Sequence, residues 1–411
     1  MARTFANLSG RIEVHLDIQQ QGGLICLLNL ASLAETPVCK SYIPMAIQFL
    51  LSNSQVRKIV MKEKGLSQIS SLLNQSSTEY KLGAMRSLKL FSLDENHRVH
   101  VAKIVFYNIE KLSSVTELAF QRELICTVAN LADSLDTHDL LIENNFVEII
   151  ARPMLHSNDM DVIRDLARFC SSISLNMKAR SQILSSKILS KIIKFCRRPD
   201  KEIQRYSSLT LCNLTLLGMK KQVIAKEEGV LGVLLFLAQC SDVEVERCSL
   251  LSIAALSFGT KHDCKLLVEN AGLLTTILNS ISCPDYKTKQ CASLALNGLL
   301  LDVDHHVKRK LWNRREDLKK LLSQIEVPDD ECRHNVVFAL GSLIEDKQTR
   351  SLLRELGFIS SIVNIFPKAS VDTKRGIGYI LAILSEEKES HADLLDSGAI
   401  QCVVDLAALV D

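Results

Sequence analysis

Apolar positions along the chain fall in short clusters at helical spacing, divided by polar turns, and the clusters recur in a fixed order. A glycine, or a residue in its place, precedes a short apolar run at Gly23, Gly65, Asn108, Asn145, Ser186, Gly229, Gly272, Arg315, Gly357 and Gly398. Successive spacings are 42, 43, 37, 41, 43, 43, 43, 42 and 41 residues. A period of this size is the signature of a repeat architecture, in which each unit buries its apolar side only against its neighbours.

Each unit predicts three helices. An amphipathic run follows the glycine and ends in a polar turn that often holds proline, as at Pro199, Pro284 and Pro328, with Pro37 and Pro367 in the same phase. Proline stops a helix, and Asp200, Asp242 and Thr78 are placed to cap the next one. That next helix is the longest and most apolar, as in YSSLTLCNLTLL (206–217) and CASLALNGLLL (291–301). A short polar helix, such as KKQVIAKEEG (220–229), returns to the glycine, whose positive φ would join two helices at a steep angle.

Composition fits this pattern. The 411 residues are 47% hydrophobic and 23% charged, with only 7 Pro and 16 Gly, which excludes disorder and provides no flexible linker. A prior of roughly 150 residues per domain suggests about three domains. The unbroken period instead predicts a single array over 1–411. Forty-nine basic against 47 acidic residues leave +2, a weak attraction for nucleic acid. No apolar stretch is long enough to span a membrane, and the start, Met1-Ala2-Arg3, is neither a signal peptide nor a myristoylation site. Thirteen scattered cysteines without a Cys-x-x-Cys read as small buried residues of a reducing compartment, which places the chain in the cytoplasm.

The glycine-plus-apolar signature, the period near 42 and third helices ending in Asn7-Leu8-Ser9, Asn130-Leu131-Ala132 or Asn213-Leu214-Thr215 resemble armadillo repeats. HEAT repeats have a similar length, but two helices per unit and no glycine in this phase. The resemblance implies an all-α, right-handed superhelical solenoid of about nine full repeats with incomplete ends. Its third helices would line a concave groove that receives an extended peptide. The family's groove asparagine, which can both donate to and accept from a peptide backbone, matches Asn7, Asn130 and Asn213, and loosely Asn297. Gly341, Ala382 and Cys170 or Ser172 take its place elsewhere. Nuclear import adaptors of similar fold carry Trp four residues earlier; here Arg3, Cys126, Leu209 and Ser293 stand there, and the single Trp312 lies in another helix. General or catenin-type scaffolds are therefore the nearer resemblance.

A second period is basic. Lys40, Lys81, Arg122, Arg164, Arg205, Arg247, Lys289, Arg333 and Lys374 recur near the start of the third helix at spacings of 41 to 44 residues. Two accounts compete. Asp161, Glu202, Glu244 and Asp330 lie three positions earlier and could form i,i+3 surface pairs. Alternatively the bases form a spine beside the asparagines: Arg122, Arg205 and Lys289 each precede an Asn by eight residues, about 80° round the helix. The spine would capture an acidic protein segment. The expected groove is thus Lys81, Arg122, Asn130, Arg164, Arg205, Asn213, Arg247, Lys289, Asn297 and Arg333. A further basic patch, Lys308, Arg309, Lys310, Arg314 and Arg315 around Trp312, would lie away from the groove.

No nucleotide-binding, hydrolase or zinc-protease motif occurs. His262-Asp263-Cys264 and His305-His306 lack the rest of a ligand set, so neither catalysis, nor a metal, nor a cofactor is expected. The function implied is a non-enzymatic scaffold for protein partners. The alternative is a structural component of a cytoskeletal or ciliary assembly, packed through its convex face and its ends. Met1, Phe5 and Leu8 at one end and Val403, Leu406 and Leu409 at the other are expected to lack full intrachain cover; a shortened chain or a stacked partner would both account for that.

Overall fold

The computed structural model describes residues 1–33, 36–63, 65–185, 187–216, 221–259, 267, 272–301 and 315–408. Every regular element among them is helical. They divide into two compact units, Met1–Thr210 and Leu211–Asp411.

The long helices form the frame. In the first unit α1 (Pro37–Ser52), α2 (Thr78–Ser92), α3 (Leu118–Ala132) and α4 (Met160–Ile173) pack in succession, each against the next. The boundary falls within α5 (Lys201–Leu216). In the second unit α6 (Val243–Ser257), α7 (Tyr286–Leu301), α8 (Asp330–Leu343) and α9 (Val371–Ser385) repeat the arrangement. Shorter helices, such as Phe146–Met154 and Val230–Ala238, supply the second layer. Their fully buried residues, Ile150 and Val233 among them, close the core from that side. Burial of this kind contributes roughly 25 cal/mol per Å² of apolar surface, spread evenly along each unit rather than gathered at one centre.

Helix starts follow the expected chemistry with one shift. Asp242 accepts from the amides of Glu244 and Val245, and Asp200 accepts from Ile203 at 3.0 Å. At α2 the cap is Ser77, not Thr78, because Ser77 is the last residue with extended backbone. Pro37 opens α1 rather than ending its predecessor, since its missing N–H is one the first turn would not use.

The repeat glycines divide into two kinds. Gly229, Gly272, Gly357 and Gly398 have φ between 80° and 96°, and Asn145 supplies the same left-handed turn at φ 58°. At Gly23 the expectation is corrected: the positive φ belongs to Gly22, while Gly23 lets a helix press against Ile18, whose carbonyl oxygen a Cβ would meet at 2.7 Å. Gly65 likewise has no positive φ and packs against Val60. Ser186 and Leu409 lie outside the described residues. Leu8 and Val403 are exposed, and Phe5 and Leu406 are half-buried.

The C-terminal ends of the long helices share a device. A helix leaves its last carbonyls without intrahelical donors. Here a side chain six residues beyond the carbonyl reaches back to it: His15 to Ser9, Arg57 to Leu51, Arg98 to Ser92, His138 to Ala132, Arg180 to Ser174, Arg350 to Ile344 and His391 to Ser385, at 2.6 to 3.4 Å. The carbonyl only accepts, so each imidazole Nε2 donates. His138→Ala would leave the Ala132 carbonyl buried and unpaired and is expected to cost about 1–3 kcal/mol. His138→Arg, which installs the group used in four sister repeats, should lose less than half of that. Urea unfolding of the two variants beside the parent chain measures the difference.

Candidate functional site

The groove expected to receive a partner is lined by the long helices. In the first unit its charges are already engaged. Arg122 Nε donates to Asp159 at 3.0 Å, and Asp159 is itself the N-cap of α4. Arg164 reaches Asp200 at 2.8 Å, Glu202 at 2.9 Å and Asp161 at 3.1 Å. Arg86 and Lys89 share Glu123, and Arg168 holds Asp133 at 3.0 Å and Asp165 at 3.2 Å. Asn130 is buried with both ends of its amide used: Nδ2 donates to Ser92 Oγ at 2.9 Å, and Oδ1 accepts from Arg168 at 2.8 Å. Lys81 is half-buried on α2, and Arg205 is exposed on α5.

In the second unit the same clamp recurs where Arg247 holds Asp285, the carboxylate ahead of α7, at 2.8 and 3.2 Å, and Glu244 at 2.7 Å. Gln290 does a similar job neutrally, donating to the N-cap Asp329 at 2.9 Å. Arg333 is 7% exposed. It spends its guanidinium on Asp330 and on the carbonyls of Ile325 and Val327, so it fastens the turn before α8 and does not present a charge to a ligand. Lys289 is half-buried and makes no ion pair among the described residues. Asn213 is buried near the end of α5. Asn297 is also buried; its Nδ2 donates to Asn335 at 3.3 Å, while Oδ1 has no hydrogen-bond partner among the described residues. Apolar groups dominate the rest: Leu251 and Leu294 are half-buried, and Phe258, Leu301 and Tyr379 are exposed.

The two accounts of the basic period are therefore joined by a third. The i,i+3 pairs form at Arg164, Arg247 and Arg333. Arg122, Arg164 and Arg247 also bridge to the capping carboxylate of the following repeat, 36 to 38 residues on. Sequence spacing identified the bases but not these partners. A second missed set is the carbonyl-capping His and Arg residues, whose own recurrence near 41 residues was a signal available in the sequence.

Of the separate basic patch, Arg315 is exposed and pairs with Glu355 at 3.1 Å. Lys308, Arg309, Lys310, Arg314, Trp312, His262, Cys264, His305 and His306 lie outside the described residues. Cys212 and Cys248 are in hydrogen-bond contact, which together with burial pushes the Cys212 thiol up, and burial raises Cys291 to about 11. These are unreactive neutral thiols. Among the described residues no group of three or more His, Cys, Asp or Glu gathers to hold a metal, and no helix is long and apolar enough to cross a membrane.

No protein-family model matches the chain, and no curated protein matches it. Solved structures do. The crystal structure of an engineered protein is similar over 93% of this chain and 93% of that one, at 19% identity and a TM-score of 0.73. A designed armadillo repeat protein is similar over 57% of this chain and 99% of its own, at 20% identity and a TM-score of 0.51. A computationally designed armadillo repeat protein for modular peptide recognition covers the same shares at 19% identity and 0.52. These likenesses show the fold: the chain is an all-α solenoid of armadillo type.

The clamp makes a measurable claim. Hydrogen bonds from Thr288 and then Arg247 hold Asp285 well below the usual carboxylate range, at about 2. A depressed folded value means that its contribution is intact above roughly pH 4 and is lost as the pH falls through about 2. Asp285→Ala removes cap and ion pair together and should cost about 1–2 kcal/mol. Asp285→Asn keeps a capping oxygen and should cost under about 1 kcal/mol, because a partly exposed ion pair is screened. The difference between the two variants in urea unfolding at pH 7 should persist, whereas the parent's advantage over Asp285→Asn should vanish by pH 2.

Proposed function

We propose that the chain is a non-enzymatic scaffold that binds an extended protein segment along the long-helix face of its second unit. The observation that carries this is the contrast between two asparagines at matching places. Asn130 satisfies its amide within the protein, but Asn297 keeps a buried acceptor without a donor among the described residues. An unpaired buried acceptor costs about 1–3 kcal/mol, and because Asn297 Oδ1 is shielded from solvent a ligand's backbone N–H would satisfy it once the amide turns out toward the helix face. Geometry supports the same reading. Packed helices stand about 8–10 Å apart, and an extended chain rises about 3.3 Å per residue, so two to three residues would span each repeat. The likeness to a scaffold designed for modular peptide recognition adds support from outside the chain.

The acidic character expected of the segment now rests on fewer residues. Arg122, Arg164, Arg247 and Arg333 have carboxylates of their own, so an acidic ligand would exchange one ion pair for another with little net gain. Of the basic period in the second unit, Lys289 and Lys374, the latter over the Phe366 ring, make no ion pair among the described residues and are left to favour it.

The test is selection of binders from a random-sequence phage-displayed peptide library on the full chain, followed by titration of synthetic peptides. Asn297→Ala should weaken the selected peptides about five- to tenfold with little change in stability. Asn130→Ala should lower stability, by removing the amide that links Ser92 to Arg168, and leave affinity alone. The reverse pattern, or a failure to select any peptide, would overturn the reading.

A further inference from the structure

Most arginines of the repeat period are held by carboxylates, but a second set of bases in the first unit is not. The helix Ile188–Phe195 has Lys187 at its N-cap position and carries Lys191 and Lys194; the turn after it brings Arg198, and Lys201 opens α5. Lys187, Lys194 and Lys201 are exposed, and Lys191 and Arg198 are half-buried. None of the five side chains makes an ion pair or a hydrogen bond among the described residues. Positions 187, 191 and 194 fall within about 60° of one another round a helix, so the three lysines form a file about 10 Å long.

The carboxylates that could neutralise this file are committed elsewhere. Glu148, on the packed helix Phe146–Met154, pairs with Arg152. On α4, Asp161 pairs with Arg164 at 3.1 Å and Asp165 with Arg168 at 3.2 Å. Asp200 and Glu202 are both taken by Arg164, at 2.8 and 2.9 Å. The other helix packed here, Met177–Ser185, has no acidic residue and adds Lys178 and Arg180, the latter buried on the Ser174 carbonyl. Helix stability does not account for the file either. A cation in the last turn, as at Lys194, favours the helix dipole, whereas Lys187 at the N-cap position opposes it.

The charge calls for an anion, and the surroundings narrow its kind. The apolar residues Ile188, Leu189, Ile192, Ile193 and Phe195 are all buried, so the helix offers no side chain for insertion into a bilayer or for stacking on a base. Take these five charges from the chain's +2 and the remainder is −3, so a membrane plane or a long nucleic acid running past the file would meet a net repulsion. A short acidic segment would not. Alternate residues of an extended chain stand about 6.6 Å apart on one side, close to the rises of roughly 6 and 4.5 Å between successive lysines of the file.

We propose that this file is a docking surface for an acidic protein segment, rich in Asp or Glu, separate from the long-helix face of the second unit. The acidic partner expected from the basic period thus belongs to a surface whose bases are uncommitted among the described residues.

The test is titration of the full chain with a fluorescent peptide of alternating Asp and Glu, read by anisotropy at low and moderate salt. Lys187→Glu, Lys191→Glu and Lys194→Glu together should weaken the peptide about tenfold or more at low salt, and the matching Gln changes about threefold or more, with smaller effects at moderate salt. Reversal of three scattered exposed lysines, Lys62, Lys103 and Lys368, alters net charge equally and should change affinity less than about twofold. Thermal melting by circular dichroism checks that each variant folds, and the Gln set carries the test if the Glu set does not. Lys289→Glu should leave the peptide bound. An affinity indifferent to the file variants, or lost with Lys289→Glu or the scattered set instead, would overturn the proposal, as would no binding at low salt. Vesicles containing phosphatidylserine, or a DNA duplex, held more tightly than the peptide and released by the Glu changes in the file would make it a membrane or nucleic-acid surface, and either result overturns the acidic-segment proposal. The extended-segment reading stands or falls separately, on Asn297→Ala.

Discussion

The fold depends on how the ends of its long helices are satisfied. A helix packed among others cannot leave its terminal N–H and C=O groups to water, and a stack of repeats multiplies that problem by the number of units. This chain answers with two recurring side-chain devices. At the N-terminal end an Asp or Ser cap accepts the first amides, and at Asp159, Asp200 and Asp285 an arginine from the preceding repeat grips the cap itself. At the C-terminal end a His or Arg in the next short helix donates to the open carbonyl. The N-terminal device couples successive repeats, whereas the carbonyl device ties the long helices α1 to α4, α8 and α9 to the short helices that follow them.

Those structural duties constrain what the surface can do. An exposed ion pair contributes only about 0.2–1 kcal/mol, yet an arginine that grips a helix cap is not free to move to a ligand without stranding the cap's carboxylate. The long-helix face of the first unit is occupied in this way from Arg86 to Arg168, and even Asn130 is drawn into the network by Arg168. The second unit replaces much of that network with Leu251, Phe258, Leu294 and Leu301, and before α8 the neutral Gln290 holds the capping Asp329. A partner meeting that face would displace water from apolar surface, which is favourable, and would break few charge pairs.

The period, the three-helix unit and the positions of the long helices were legible in the sequence because they follow from apolar spacing alone. Local turn chemistry was partly legible: Gly229 and Asp242 act as expected, while Gly22 and Ser77 do the work expected of Gly23 and Thr78, one residue away in each case. The candidate site was less legible for a physical reason. A basic residue near the start of a helix looks the same whether it pairs three residues back, 37 residues on, or with a ligand. Only the packing of repeats brings Arg122 to Asp159. Likewise Asn130 and the looser match Asn297 both stand eight residues after a base of the basic period, and what separates their pairing is Arg168, at a position where the repeat of Asn335 carries no arginine.

A repeat scaffold can therefore vary its surface at constant frame, provided that the residues satisfying helix ends are kept and the change falls between them. Gly341 and Gly376 fit that rule. Neither caps a helix nor carries a charge: Gly376 lies within α9 and Gly341 in the last turn of α8, and the lack of a side chain at Gly341 leaves space on the face while the cap at Asp329 and the Arg333 fastening remain intact. Glycine in a helix interior costs roughly 0.5–1 kcal/mol relative to alanine. Two of them on facing helices at one cavity are a local expense against helix stability that packing alone explains at Gly376, where the Phe338 ring needs the space. Packing does not explain Gly341, where an alanine would fit, and the open cavity beside it is the structural consequence of that choice.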